Sequence, residues 1–225
     1  MALRVILHNA VSADGRIDWI SPDLGLFYGL VSTWQEDATL VGCDTLLKAQ
    51  DEIPEETDEA FKPSDQQPGD TRPILIVPDS RGRLKTWHYW KEQQYWRDWI
   101  ALCSHTTPQD YFSYLTQRHI HYLIAGDDHV DLVQALRMIS AQYNVKTIRV
   151  DSGGTLNGVL LRAGLVDEVS ILICPSLVGG STPRSLYRAD DLTAADDVIG
   201  LKLIRSEECK DGSIWLRYEV IKTHN

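Results

Sequence analysis

Cysteines are few and widely spaced in this chain. The four, none of which forms a Cys-x-x-Cys pair, are Cys43, Cys103, Cys174 and Cys209. The first three lie at or near apolar runs, where a reduced cysteine packs as a small hydrophobic residue. The spacing therefore predicts a reducing compartment and no structural disulfides.

Long apolar runs and an excess of positive charge are also missing. No apolar run approaches the roughly 20 residues that span a bilayer, and Met1–Asn9 lacks the basic region and long apolar core of a signal peptide. The net charge of −10 disfavours a general polyanion binder. We therefore expect a cytoplasmic protein that binds neither membranes nor nucleic acid, although a local basic pocket for a small phosphorylated ligand is compatible with this charge.

Three familiar site patterns are absent from the sequence. The seven histidines show no metal-ligand spacing with cysteine or aspartate, so no metal site is expected. The chain has neither the Gly-x-Ser-x-Gly nucleophile elbow nor the P-loop of many ATPases. The candidate sites that remain lie where predicted strands end.

What the sequence does contain is an alternation of short β-rich runs with helical patterns. Strands are predicted at Leu3–Leu7, Thr39–Val41, Thr71–Val77, Ile100–Cys103, His121–Ala125, Thr147–Val150 and Val169–Cys174. The final segments, Leu201–Ser206 and Ile214–Lys222, predict a hairpin. This order indicates a single α/β domain over residues 1–225, with a mostly parallel, doubly wound sheet and a C-terminal antiparallel hairpin.

Two stretches depart from this alternation. Residues 51–70 are acidic and nearly free of large apolar side chains, which predicts a mobile surface loop. Residues 86–99 hold four of the seven tryptophans, in two pairs with a spacing of three residues, Trp87/Trp90 and Trp96/Trp99. A helix would place each pair on one face. Such a surface could stack on bases, contact a second subunit or pack locally, and the acidic chain disfavours the first option.

The stretch Ile148–Arg162 predicts a buried strand, a glycine pair and the first turns of a helix. A helix N-terminus offers unpaired backbone N–H groups and a positive dipole end, which suit a phosphate group. Gly153 and Gly154 lack a Cβ, so a pyrophosphate can approach the backbone closely. The alternative is a tight turn that simply needs two glycines. The motif is not Gly-x-Gly-x-x-Gly and it lies late in the chain, which disfavours an ordinary Rossmann dehydrogenase.

Four segments at strand ends are candidates for the site, because ligands of open α/β sheets bind beyond the carboxyl ends of strands. They are Asn9–Gly15, Gly42–Thr45, Pro78–Arg83 and Asp151–Gly158. Each has a structural alternative. Asp151 could accept hydrogen bonds from an aminopyrimidine or a ribose, or it could cap the following helix.

Polar side chains in these segments suggest further contacts. Ser80, Arg81 and Arg83 follow a buried strand, and a hydroxyl and a guanidinium there could hold the 2′-phosphate that distinguishes NADPH, or they could form a solvated basic turn. Thr155 and Asn157 could contact phosphate or cap the helix. Asp14 could fix a polar substrate or serve only as a turn residue.

These residues carry a resemblance to a known family. The chain resembles the reductase domain of the bacterial bifunctional riboflavin-synthesis deaminase/reductase and its stand-alone archaeal and fungal relatives, which have the dihydrofolate-reductase-like fold. The matching segments, in family order, are Asn9–Arg16, Ala38–Thr45, Arg72–Ser80, Val150–Gly158, Gly164–Glu168 and Cys174–Gly180.

The resemblance implies NADPH as hydride donor and a diaminopyrimidinone 5′-phosphate as substrate, whose ribosylamino group is reduced at C1′ to a ribitylamino group. The expected cofactor contacts are Val11, Thr45, Ser80, Arg81, Gly153, Gly154, Thr155, Leu156, Asn157 and Gly158. The expected substrate contacts are Asn9, Ser12 and Asp151. Asp14 or a water is the expected proton donor. Family members are commonly dimers, so a homodimer is expected.

One departure from the family pattern concerns the segment after Thr45. The family usually continues with Asp-Asp-Pro-x-Leu-Thr-x-Arg, whereas here Ala49 replaces the aspartate and the arginine is missing. The resemblance therefore does not extend to the segment that helps to hold the substrate phosphate in the family. A dihydrofolate-type or other small imine or carbonyl reductase, and a nucleotide-binding module without catalysis, remain as alternatives.

Overall fold

The computed structural model describes residues 3–50, 52–64, 67, 69–181 and 184–222. The chain is organised in two compact units. Unit 1 comprises Asp37–Ile148, and unit 2 comprises the described residues up to Glu36 and from Arg149 onward. That residues 1–225 form one reductase domain stays a prediction.

The strands, in chain order, are β1 (Arg4–Ser12), β2 (Ala38–Leu40), β3 (Ile74–Pro78), β4 (Asp98–Cys103), β5 (His121–Ile124), β6 (Thr147–Val150), β7 (Glu168–Cys174), β8 (Leu201–Glu208) and β9 (Ile214–Val220). The α-helices are α1 (Leu24–Gly29), α2 (Cys43–Lys48), α3 (Trp87–Glu92), α4 (Gln109–Gln117), α5 (Leu132–Tyr143) and α6 (Gly154–Arg162). Short 3₁₀ helices cover Leu30–Thr33, Asp58–Phe61 and Ala195–Asp197. No helix among the described residues is long and apolar enough to cross a membrane.

The strands of unit 1 run in the order β5-β4-β3-β2 and pair in parallel. Those of unit 2 run in the order β6-β1-β7-β9-β8, where β1 and β7 are parallel and the β8–β9 hairpin adds antiparallel pairs. The predicted α/β class, with a mostly parallel sheet and a C-terminal antiparallel hairpin, is confirmed. The first strand is longer than predicted, because β1 continues to Ser12 and therefore contains Asn9.

The tryptophan-rich stretch packs inside unit 1. Trp87 and Trp90 on α3 and Trp99 on β4 are buried in its hydrophobic core, and Trp96 is half-buried against that core. The helical prediction holds only for the first pair, since α3 ends at Glu92 before β4 begins. Of the three alternatives, local packing is therefore the one observed, and these side chains do not form the exposed aromatic surface that a subunit contact needs.

The acidic segment, part of which lies outside the described residues, is attached to unit 1 by charged side chains. Glu56 pairs with Arg118, which directly follows α4, through both carboxylate oxygens, at 2.5 and 2.6 Å. Lys91 of α3 donates to the carbonyl oxygen of Ala60 at 3.0 Å, and Ala60 itself is buried. These anchors were not indicated by composition, and the mobility of the segment stays a prediction.

Candidate site at the N-terminus of α6

The turn between β6 and α6 leaves backbone donors open. Helix α6 begins at Gly154, and Gly153 precedes it in an extended conformation without a side-chain cap. The N–H groups of Gly154, Thr155 and Leu156 find no acceptor among the described residues. Three free donors at the positive end of a helix dipole form an arrangement that suits an anion. The capping alternative for Thr155 is thereby excluded.

The three glycines of this turn differ in the space that a Cβ would have at each position. A Cβ on Gly154 would lie 2.2 Å from the carbonyl oxygen of Ser185, and one on Gly158 would lie 1.8 Å from that of Arg188. A Cβ on Gly153 would meet only the side chain of Ile17, at an ordinary 3.6 Å. The chain itself therefore fills the space beside Gly154 and Gly158. Of the predicted glycine contacts, only Gly153 has room for a ligand beside its Cα.

The side chain of Asn157 is a buried brace, and its contact with the cofactor stays a prediction. Its side-chain amide donates to Oδ1 of Asn9 and to the carbonyl oxygen of Leu186, both at 2.9 Å. Asn9 in turn donates to the carbonyl oxygen of Ser152 at 2.7 Å. The side chain of Asn157 is fully buried, and its Oδ1 has no partner among the described residues. This chain of amides fixes α6 to β1 within unit 2.

Ser12 and Asp14 organise a turn, which is one of the two roles predicted for Asp14. The Ser12 hydroxyl donates to Asp14 at 2.6 Å and accepts the Arg16 N–H at 2.9 Å. Asp14 also accepts the N–H groups of Val178 at 3.0 Å and Gly179 at 2.7 Å. These hydrogen bonds, that of Ser12 above all, lower the pKa of Asp14 to about 2. A carboxylate ionised at neutral pH has no proton to give, so Asp14 is not a suitable general acid.

Asp151 forms one end of a charged triad in unit 2. Nη1 of Arg149 donates to Oδ2 of Asp151 at 2.9 Å, while Nε and Nη2 of Arg149 pair with the two carboxylate oxygens of Glu36. The side chains of Arg149 and Glu36 are 6% and 7% exposed, whereas that of Asp151 is 26% exposed. The carboxylate of Asp151 is therefore held by Arg149 and is partly exposed to solvent.

His8 of β1 is buried among aromatic residues of unit 2. Its ring stacks on Phe27 at 4.2 Å, and its two nitrogens lie 3.0 Å from the Phe27 carbonyl oxygen and the Ser170 hydroxyl. Burial lowers the pKa of His8 to about 4. The imidazole is consequently neutral at physiological pH and has a structural role.

The other predicted cofactor contacts, apart from the buried Val11 of β1, lie in unit 1. Thr45 is half-buried on α2, and Ser80 accepts the Val130 N–H at 3.0 Å through its hydroxyl. Arg81 is exposed, and its side chain has no partner among the described residues. Arg83, two residues on, is paired with Asp44 at 2.7 Å. Arg81 is therefore the guanidinium of this turn that is available to an anion.

Sequence reasoning missed two features of this region. The Ser185–Arg188 segment, whose backbone packs against α6, carries no recognisable motif. Arg149 could have been found from the sequence, because a charged residue inside a strand between the buried Ile148 and Val150 indicates a buried ion pair.

The model of the RibD C-terminal domain family matches residues 4–214 of this chain. The chain belongs to this family. The 2,5-diamino-6-ribosylamino-4(3H)-pyrimidinone 5′-phosphate reductase of Methanothermobacter thermautotrophicus is 29% identical over 208 residues, which cover 90% of this chain and 91% of that protein. The riboflavin biosynthesis protein RibD of Actinobacillus pleuropneumoniae is 25% identical, and the match covers 96% of this chain but only 57% of that longer protein.

Solved structures share the fold of this RibD C-terminal domain. Acinetobacter baumannii RibD superposes with a TM-score of 0.69 at 21% identity, covering 98% of this chain and 58% of that one. The riboflavin biosynthesis reductase Rib7 of Saccharomyces cerevisiae gives 0.65 at 17% identity, covering 98% and 90%. The predicted dihydrofolate-reductase-like fold is confirmed. The family is one of reductases, so the chain is an oxidoreductase, and its family implies a nicotinamide cofactor.

Proposed function

We propose that this protein is the NADPH-dependent reductase that converts the ribosylamino group of 2,5-diamino-6-ribosylamino-4(3H)-pyrimidinone 5′-phosphate to a ribitylamino group in riboflavin biosynthesis. The observation that carries the proposal is the open N-terminus of α6, where three backbone N–H groups have no acceptor among the described residues. The names of the relatives supply the reaction, and the arrangement of α6 fits the pyrophosphate of a nicotinamide dinucleotide.

In this proposal, backbone donors of unit 2 bind the pyrophosphate of the cofactor. The N–H groups of Gly154, Thr155 and Leu156 would bind the pyrophosphate, and Gly153 leaves space for its approach. The contact of Arg81 with a 2′-phosphate is a separate proposal about unit 1, where its guanidinium is exposed and unpaired among the described residues. When bound, NADPH supplies the hydride that reduces C1′ of the ring-opened sugar.

The substrate contact in this proposal is Asp151. Its open oxygen can accept a hydrogen bond from an amino group of the pyrimidine. Asp14 and Ser12 have an indirect role in this proposal. Ser12 holds Asp14, and Asp14 holds the backbone of Val178 and Gly179 in place. The main contribution of the protein is to position two bound molecules for the reaction.

An assay of NADPH oxidation tests the function directly. The diaminopyrimidine phosphate and dihydrofolate are supplied in parallel to the purified protein. The proposal predicts turnover of the diaminopyrimidine phosphate. Turnover of dihydrofolate alone would assign the chain to the other reductase type, and turnover of neither would favour a nucleotide-binding module.

We also propose that the protein is a homodimer in the cytoplasm. Strand β8 is the edge strand of unit 2, and all eight of its residues are exposed, including the apolar Leu201, Leu203 and Ile204. An exposed apolar edge strand is a template for pairing with a second chain, which supports dimerisation through β8. The free thiols of all four cysteines fit a reducing compartment. Analytical ultracentrifugation should show a dimer that Leu203→Lys converts to a monomer.

A further inference from the structure

The triad of Glu36, Arg149 and Asp151 contains one more carboxylate than charge balance requires. Arg149 is 5% exposed, and a guanidinium this deeply buried needs a partner. Glu36 already provides one, since both of its carboxylate oxygens pair with Nε and Nη2 of Arg149. Asp151 therefore gives the triad a formal charge of −1 rather than neutralising it.

The surplus charge lies at an open position. Asp151 directly follows β6, at the carboxyl end of a strand where ligands of α/β folds bind. Its Oδ2 accepts from Arg149, while its Oδ1 receives no donor among the described residues. This oxygen is therefore available to a donor outside the triad.

The planar guanidinium fixes the direction of that open oxygen. Arg149 is clamped by Glu36 at two nitrogens, so its third nitrogen, Nη1, has little freedom to move. Asp151, bound to Nη1, is thereby held in one orientation. A lysine in place of Arg149 would keep the charge but lose the fork that couples the two carboxylates.

We propose that Arg149 and Glu36 are positioning residues that orient Asp151 toward an amino group of the substrate, an amino-substituted heterocycle. The inference rests on the proposed function, in which Asp151 binds the diaminopyrimidine. The surplus negative charge favours a ligand that presents N–H donors and disfavours one that presents an anion at this point.

A double-mutant cycle on substrate KM tests the inference. Glu36→Gln with Arg149→Met removes the clamp without leaving a buried charge, and Asp151→Asn removes the contact. Each should raise the KM for the diaminopyrimidine phosphate about tenfold, with a smaller effect on kcat. The combined variant should be no more than about twofold worse than either, because both remove one interaction. The Kd for NADPH should stay within about twofold.

The matched control is another buried ion pair of unit 2. Arg217 and Glu168 are paired at the β7–β9 junction. Arg217→Met with Glu168→Gln should lower stability and leave the KM unchanged. A KM for the clamp variant within about twofold of wild type, or effects that multiply with Asp151→Asn, would overturn the inference.

Two further measurements keep the test decisive. If the clamp variant fails to fold, Arg149→Lys replaces it and should raise the KM about fivefold. If wild-type protein does not turn over the diaminopyrimidine, the proposed function fails, and crystal structures then test the positioning by itself. The Asp151 carboxylate should occupy one rotamer in wild type and several in Arg149→Lys. A single unchanged rotamer in both would contradict the positioning role.

Discussion

The turn between β6 and α6 and the tryptophan-rich segment around α3 are the two most unusual stretches of this sequence, and packing treats them in opposite ways. Around α3, three of four tryptophans are buried in the core of unit 1. At the start of α6, the side chains are small and backbone donors stay open. The comparison teaches that an unusual composition does not by itself mark a site. The groups that packing leaves without a partner do.

The same contrast separates residues within a few positions of each other. Gly153 has space beside its Cα, while Gly158 is closed by the Arg188 carbonyl oxygen. Arg81 is exposed without a partner among the described residues, while Arg83 is paired with Asp44. In each pair, the residue that is accessible to a ligand gives the test variant, and the residue that is closed or paired gives the control.

The largest effect is expected in the core of unit 1. Trp87 is fully buried and donates from Nε1 to the Tyr111 hydroxyl at 3.0 Å. Trp87→Ala should lower the free energy of unfolding by about 3–5 kcal/mol, because a large aromatic side chain and a buried hydrogen bond are lost. Urea denaturation measures this loss. The half-buried Trp96 is the control, and Trp96→Ala should cost clearly less. Equal losses would contradict the deeper burial of Trp87.

Lowering the pH should reduce the free energy of unfolding through His8, the buried histidine of unit 2. The pKa of His8 is lowered to about 4 from the ordinary 6.5. Between these values the unfolded chain binds a proton that the folded chain does not, so stability is retained above pH 6.5 and falls as the pH drops toward 4. The expected loss is about 3 kcal/mol over this window. Denaturation at several pH values should show it for wild type and not for His8→Gln. Parallel pH profiles for the two proteins would contradict the assignment.

Substitutions at Gly153 and Gly158 should give a smaller difference in the free energy of unfolding. Gly158→Ala places a methyl group against the Arg188 carbonyl oxygen, so we expect a loss of about 2 kcal/mol in thermal or urea unfolding. Gly153→Ala meets only the Ile17 side chain at 3.6 Å and should cost less than about 1 kcal/mol. If both variants lost the same stability, the close packing of α6 on Ser185–Arg188 would be wrong.

The arginine pair tests cofactor choice. Wild-type protein should bind NADPH more tightly than NADH, and Arg81→Ala should reduce that preference about tenfold, since one charged contact to the 2′-phosphate is removed. Arg83→Ala is the control and should keep the preference, because Arg83 is engaged by Asp44. Fluorescence titrations with both nucleotides give the four ratios. Equal affinities of wild type for NADPH and NADH would refute the 2′-phosphate contact.

Much of the fold was predictable because its signals are local. The strand Thr147–Val150 has the predicted bounds, since a short apolar run is recognised from a few neighbouring residues. The tryptophan-rich stretch was predicted less well. A spacing of three residues is compatible with a helix for both tryptophan pairs, but α3 ends at Glu92, before the second pair.

The site was less predictable because its decisive contacts join residues far apart in the chain. Asn157 meets Asn9 across 148 residues, and Gly154 and Gly158 are closed by a segment about 30 residues downstream. The same holds for Asp14, whose turn identity was visible in sequence but whose bonds to Val178 and Gly179 were not. Motifs therefore located the turn, and only the packing separates its open groups from its closed ones.

Titration of ¹⁵N-labelled protein with NADPH tests the central claim most directly. If the open N–H groups of α6 bind the pyrophosphate, the amide resonances of Gly154, Thr155 and Leu156 should shift strongly, while that of Asn157, which already donates to the Gly153 carbonyl oxygen, should shift less. Unmoved resonances for all three open amides at saturating NADPH would contradict the account.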